Sequence, residues 1–306
     1  MKSYDILSVG DINIEITLTN LKSMPVLGQE ILAEDVYRTM GGSTVNTAVG
    51  AARMGLRSAF VGKVGMDADG AYLTETLKGF GVDASHMAVD EHTPTGVTIS
   101  LATQGDRAMV TCLGAIGTLT AEDIPDELLK SARHLHVAGY FLQTALRPML
   151  PELFERAHAL GLTVSLDTGW DDSGAWAGVR ELLPKVDIFF PNESEAAALT
   201  GCAAVTDAAR ELATLCRTAV VKHGKHGAVV CTDGVLLERP AYPGEPVDTT
   251  GAGDAFNGGY LGAYLRGLPT ETCLRYGNAA GSISVTRRGS AASCPTFEEV
   301  RALAER

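Results

Sequence analysis

The chain has 306 residues, 45% of them hydrophobic and 20% charged, and carries a net charge of −12. That length suits a single α/β domain with insertions and a large buried core. The acidic balance without any basic run argues against nucleic acid or an anionic membrane as the main partner, and no apolar run reaches membrane-spanning length.

The first residues lead straight into a strand-like segment, so no signal peptide is expected. Short apolar runs predict strands at 5–9, 59–64, 134–138, 163–167, 187–191, 218–222 and 227–231. Three- and four-residue spacings predict helices at 45–54, 68–80, 149–160, 193–199, 207–215, 254–265, 270–285 and 296–303. Such alternation implies crossover connections and a largely parallel sheet covered on both faces. Thr120 with Asp123, and Thr296 with Glu299, have the spacing of capping boxes. Two stretches, 15–39 and 95–112, break the alternation; Val97, Ile99 and Leu101 alternate with smaller residues, and Gly105-Asp106 marks a turn. They predict a small antiparallel sheet inserted into the core as a water-excluding lid, with an edge extension of the main sheet as the alternative.

Chemistry-bearing residues concentrate where strands end. Gly10-Asp11-Ile12-Asn13-Ile14-Glu15 leaves the first strand at its carboxyl end, where ligands bind in open α/β sheets. Hydroxyl recognition and a solvated strand end both fit that run. Gly41-Gly42-Ser43-Thr44-Val45-Asn46 is a glycine turn opening a helix, and Asn46 offers both a donor and an acceptor to a polar ligand. His134 and His136 share one strand face without a third metal ligand, and six scattered cysteines with no Cys-x-x-Cys pair read as reduced thiols of a cytoplasmic protein. Asn192-Glu193-Ser194-Glu195 follows a strand; a carboxylate and an amide there suit a hydrated Mg²⁺ against phosphate, or an ordinary helix start. Lys222-His223-Gly224-Lys225-His226-Gly227 is a basic turn that suits nucleotide phosphates or a plain hairpin.

The most informative run is Asp248-Thr249-Thr250-Gly251-Ala252-Gly253-Asp254-Ala255-Phe256. A small-residue turn that opens a helix presents unpaired N–H groups at the positive end of the dipole, an arrangement suited to an anion. A carboxylate inside such a site reads as a general base beside a phosphate, although Asp254 is also a residue type that caps helices. Missing patterns narrow the class. The chain has no Gly-x-x-x-x-Gly-Lys-Ser/Thr loop, no Gly-x-Gly-x-x-Gly after the first strand and no Gly-x-Ser-x-Gly elbow.

Together these segments resemble the ribokinase-like, or PfkB, family of sugar kinases. The run 41–48 looks like its N-terminal signature, 248–256 like its C-terminal signature, and 192–195 like its Asn-x-x-Glu motif, in the expected order across the chain. The resemblance implies one kinase domain over 1–306: a three-layer α/β/α sandwich with a mostly parallel sheet and a small antiparallel β lid formed by insertions at 13–40 and 95–113. It implies ATP-dependent phosphorylation of a sugar hydroxyl, with Asp254 as base and the Gly251, Ala252 and Gly253 backbone holding developing charge. Asp11, Asn13, Gly41, Gly42, Ser43, Asn46 and Gln143 would line the sugar pocket. Asn192 and Glu195 would organise Mg²⁺ and phosphate, and Lys222, Gly224, Gly227, Gly253 and Asn278 would border the nucleotide. Asp248, Thr250, Ser284, Arg287, Gly289 and Ser293 match the positions that hold a monovalent cation, K⁺, mostly through backbone oxygens.

Two departures bear on the acceptor. Ribokinases typically carry Asp where this chain has Glu15, and Lys after the glycine pair where it has Ser43. The longer acid and the lost charge put D-ribose in question, and no basic cluster marks a sugar phosphate. A nucleoside kinase of the same fold, with Tyr37, Tyr140 and Phe141 as base-stacking candidates, and a non-catalytic sugar-binding protein are the competing readings. An apolar lid face is expected to pair two subunits as a homodimer.

Overall fold

The protein is described by a computed structural model covering residues 2–103 and 107–306. The predicted turn at Gly105-Asp106 lies outside the described residues. The strands in chain order are β1 (Tyr4–Val9), β2 (Asn13–Leu21), β3 (Asp35–Gly41), β4 (Ser58–Val61), β5 (Lys63–Gly65), β6 (Ala88–Asp90), β7 (Val97–Thr103), β8 (Arg107–Cys112), β9 (Ala132–Val137), β10 (Thr163–Leu166), β11 (Ile188–Phe189), β12 (Thr218–Lys222), β13 (Ala228–Thr232) and β14 (Val235–Arg239).

The main sheet runs β14-β13-β12-β11-β10-β9-β1-β4. Its strands from β12 to β4 are parallel, and β13 and β14 close one edge as antiparallel hairpin strands. Successive residues of β1 serve opposite layers. Leu7 and Val9 pack with Leu153 and Phe154 on one face, whereas Ile6 packs with Phe190, Phe256 and Tyr260 on the other. Burial on both faces explains why these strands read as continuous apolar runs rather than alternating ones.

A second sheet, ordered β3-β2-β7-β8, stands beside the carboxyl ends of the main strands. Its outer pairings are antiparallel, and the central β2–β7 pairing is parallel. Strict pairing places Asn13, Glu15, Thr17, Tyr37, Thr98, Ser100 and Arg107 on one face, and Ile16, Val36, Ile99 and Val110 on the other. The short strands β5 and β6 pair with each other.

Helix bounds match the predicted ones to within two residues, except that Val205–Leu212 stops three residues short of the predicted end at 215. The first helix begins at Ser43 (Ser43–Arg53), because its cap comes from elsewhere in the chain. Its N-cap position is Gly42, at φ 119°, which offers no side chain. Both capping boxes form, Thr120 with Asp123 and Thr296 with Glu299.

Candidate active site

The loops at the carboxyl ends of β1, β9, β10, β11 and β12 converge with the starts of two helices, Ser43–Arg53 and Ala252–Tyr264. Those helices touch through glycines: a Cβ on Gly258 would lie 2.8 Å from the Gly50 backbone. One turn earlier on each helix, Asn46 and Asp254 are therefore brought face to face, and Asn46 Nδ2 donates to Asp254 Oδ2 at 2.9 Å. Asp254 does not cap its helix. The N-cap position is Gly251 in the left-handed region (φ 75°), and Asp254 sits in the first turn.

Asp254 is partly buried. Removal from water, reinforced by the Asp167 carboxylate, pushes its carboxyl up to about 8; the Asn46 hydrogen bond and the Lys222 ammonium act in the opposite direction. Asp167 carries the neighbouring charge. It is 4% exposed at the end of β10 and accepts from Lys222 Nζ and Asn257 Nδ2, both at 2.7 Å. Although burial opposes it, the Lys222 ammonium and these hydrogen bonds hold the Asp167 carboxyl below its ordinary value. Burial, and then Asp167, raise Glu195 to about 7. Two carboxyls that favour their protons thus surround one ionised acid paired with a lysine. Asp167 and Asn257 are absent from the sequence-based site. The available signal was Asp167 at a strand's carboxyl end, the same position that singles out Asp11.

The turn expected to bind an anion, 251–253, is open. Gly251 and Gly253 N–H groups donate to no protein acceptor among the described residues, and Ala252 N makes only a long bond to Thr249 O at 3.3 Å. Lys222 lies alongside: a Cβ on Gly253 would come within 3.4 Å of its Nζ. Lys222 turns into the site rather than extending along the 222–227 turn. In that turn, Gly227 (φ 98°) returns its carbonyl to His223 N at 2.8 Å, and Gly224 opens a short helical turn.

The residues expected on the sugar side divide by what holds them. Asp11 supplies the missing cap of Ser43–Arg53: Oδ2 accepts from Ser43 N at 2.8 Å, and Oδ1 accepts from Thr44 N at 2.9 Å and Thr44 Oγ1 at 2.5 Å. Asn13 Nδ2 donates to Thr98 Oγ1 at 2.8 Å across the second sheet. Asn13 and Glu15 crowd Gly41, where a Cβ would lie 2.9 Å from Glu15 Oε2. Glu15 is 6% exposed, and burial raises its carboxyl while the Arg107 guanidinium lowers it. Gln143 is fully buried and donates Nε2 to Ala138 O at 2.6 Å. Of the aromatic candidates, Tyr37 lines a cavity of about 540 Å³ between the second sheet and 246–250, whereas Tyr140 is buried in the core edge-on to Phe141.

Asn192 and Glu195 form a reciprocal capping box on helix Glu193–Thr200, with Asn192 Oδ1 accepting from Ser194 N and Glu195 N, and Glu195 Oε2 accepting from Asn192 N. Asn278 Nδ2 pins the carbonyls of Arg239 and Pro240. Among the described residues, no three His, Cys, Asp or Glu side chains form a metal cage. Asp248 accepts from Thr250 N at 2.9 Å and Gly289 N at 3.1 Å, bridging the anion turn to 284–293. In that second segment Ser284 Oγ meets Ser293 Oγ at 2.8 Å, and Arg287 directs its side chain to Glu299. The carbonyls of Thr250 and Arg287 accept from no backbone N–H among the described residues.

This arrangement has relatives. The model of the pfkB family carbohydrate kinases matches residues 3–297. The chain is 29% identical to a ribokinase of Bacillus subtilis (strain 168) over 96% of this chain and 97% of that one. It is 32% identical to an ATP-dependent ribose-1-phosphate kinase of Halopiger xanaduensis over 98% of both. A solved Arabidopsis thaliana ribokinase complexed with ribose and ATP superposes with a TM-score of 0.85 at 26% identity, covering 99% of each chain. With a family model covering nearly its whole length, this chain belongs to the pfkB family of carbohydrate kinases.

Proposed function

We propose that the protein transfers the γ-phosphoryl group of ATP to a hydroxyl of a sugar-like acceptor, with Asp254 as general base and the Gly251–Gly253 N–H groups as the charge-holding turn. The supporting observation is the pairing of a proton-hungry carboxyl, held by Asn46, with the open helix start on the same turn. A base pushed up to about 8 is strong enough to take a hydroxyl proton near neutral pH. The acceptor oxygen then bonds to the γ-phosphorus, its proton passes to Asp254, and the bond to the bridging oxygen breaks to release ADP. Phosphoryl transfer demands mainly positioning and charge stabilisation, which the turn amides and Lys222 would supply.

The residues fit a Mg²⁺ held mostly by phosphate and water. Glu195 and Asp167 offer carboxylates near Lys222, but no all-protein cage exists among the described residues. When bound, that ion neutralises phosphate charge. Asp248 and the Thr250 and Arg287 carbonyls fit a monovalent cation, which would stiffen the turn. We further infer a single kinase domain with β2, β3, β7 and β8 as its lid, a cytoplasmic location in keeping with the free thiols, and a homodimer joined through Val36, Ile99 and Val110. Those three side chains are 57%, 41% and 66% exposed.

The direct test is ATP consumption on a panel of sugars, nucleosides and sugar phosphates with Mg²⁺ and K⁺. Turnover with a sugar supports the reading. ATP binding without turnover across the panel would instead mark a sugar-binding protein.

A further inference from the structure

Arg107, at the start of the outermost lid strand β8, reaches across the 540 Å³ cavity to the anion turn. Its Nη1 donates to Thr250 Oγ1 at 2.9 Å and to Thr249 Oγ1 at 3.2 Å. These threonines immediately precede Gly251, so their conformation sets where the turn's N–H groups point. The contact does not stop there. Thr250 N is held by Asp248 Oδ1, and Asp248 Oδ2 holds Gly289 N. A chain of bonds thus runs from lid edge to anion turn to the 284–293 segment. Glu15, on the same lid face, attracts the guanidinium.

We propose that Arg107 is a positioning residue that couples lid closure to the geometry of the anion turn, so that the donors for the phosphoryl group are set only when the lid lies over the acceptor. A guanidinium suits this task because the two N–H bonds of Nη1, fixed in the guanidinium plane, serve both hydroxyls at once. The proposal rests on reading Gly251–Gly253 as the phosphoryl-binding turn. Misplacing such donors slows the chemical step more than it weakens acceptor binding.

Three variants test it: Arg107→Ala, Arg107→Lys and Thr250→Val. Arg107→Ala and Thr250→Val are each expected to lower kcat by about 10- to 100-fold while the acceptor KM changes by less than about threefold. The double variant is expected to fall within about threefold of the worse single one, because both remove the same contact. Arg107→Lys keeps the charge near Glu15 but not the fixed planar N–H pair of Nη1, and should recover less than about a third of the lost kcat.

Hydrogen exchange supplies a readout independent of turnover. In ligand-free protein, the two hydrogen-bonded amides of the turn, those of Thr250 and Ala252, should exchange at least about tenfold faster in Arg107→Ala than in the wild type. Unchanged exchange, additive losses in the double variant, full rescue by lysine, or an effect confined to acceptor KM would each overturn the proposal; the last would mean that the guanidinium binds the acceptor itself. If the wild type phosphorylates no acceptor yet the exchange difference is present, the coupling stands and the proposed reaction falls.

Discussion

Asn46 and Asp254, 208 positions apart in sequence, are joined by a 2.9 Å hydrogen bond between the starts of two helices that meet at Gly50 and Gly258. The amide donates to the carboxylate and favours its ionised form. Asn46→Ala should therefore raise the Asp254 pKa further. The measurement is kcat/KM against pH: the acidic limb should move to higher pH, and an unmoved limb would show that this bond does not tune the base.

In the wild-type protein the same profile should rise with pH through a midpoint near 8 and level off above it, since a protonated Asp254 cannot accept the hydroxyl proton. Asp254→Asn should cut kcat by about 10²- to 10⁴-fold while ATP still binds and the circular dichroism spectrum is unchanged. Activity within about threefold of wild type would remove Asp254 from the base role.

The shifted carboxyls also tie stability to pH. Folded Asp254 and Glu195 keep their protons up to about 8 and about 7, whereas ordinary carboxyls of the unfolded chain release theirs near pH 4. Across that window the folded state holds more protons, so stability falls as pH rises. Asp254→Asn should raise Tm at pH 8.5 by at least about 2 °C and change it little at pH 4. Equal shifts at both pH values would contradict the burial of this charge.

Asp11 has a mechanical duty beside any contact with substrate. It accepts the N–H groups of Ser43 and Thr44 at a helix start whose own N-cap residue is glycine. Asp11→Ala should destabilise the fold by about 1–3 kcal/mol, seen in chemical denaturation, as well as weaken acceptor binding. A stability within about 0.5 kcal/mol of wild type would mean that water replaces the cap.

The lid's exposed apolar face predicts the assembly state. Ile99 and Val110 are directly paired on that face, and a charge there should prevent subunits from joining. Val110→Asp is expected to sediment as a monomer where the wild type sediments as a dimer. A monomeric wild type, or a dimeric variant, would place the interface elsewhere.

By itself the chain determined its layered α/β plan, because apolar runs and helical spacing are local and the core buries them wherever they meet. It also determined the open helix start at Gly251, Ala252 and Gly253, since a glycine at the N-cap leaves the first N–H groups of the helix without side-chain partners. Proximity belonged to the tertiary structure. The Asn192–Glu195 spacing is that of a capping box, and only the neighbouring Asp167 charge and burial raise Glu195. Asp167, Asn257 and Arg107 carry no local signature; the topology brings them beside Lys222 or Thr250 from elements that sequence order keeps apart. Asp254 makes the same point, for its residue type allowed a cap or a base, and the cap was excluded only when the fold set Gly251 at the N-cap and Asn46 opposite the carboxylate.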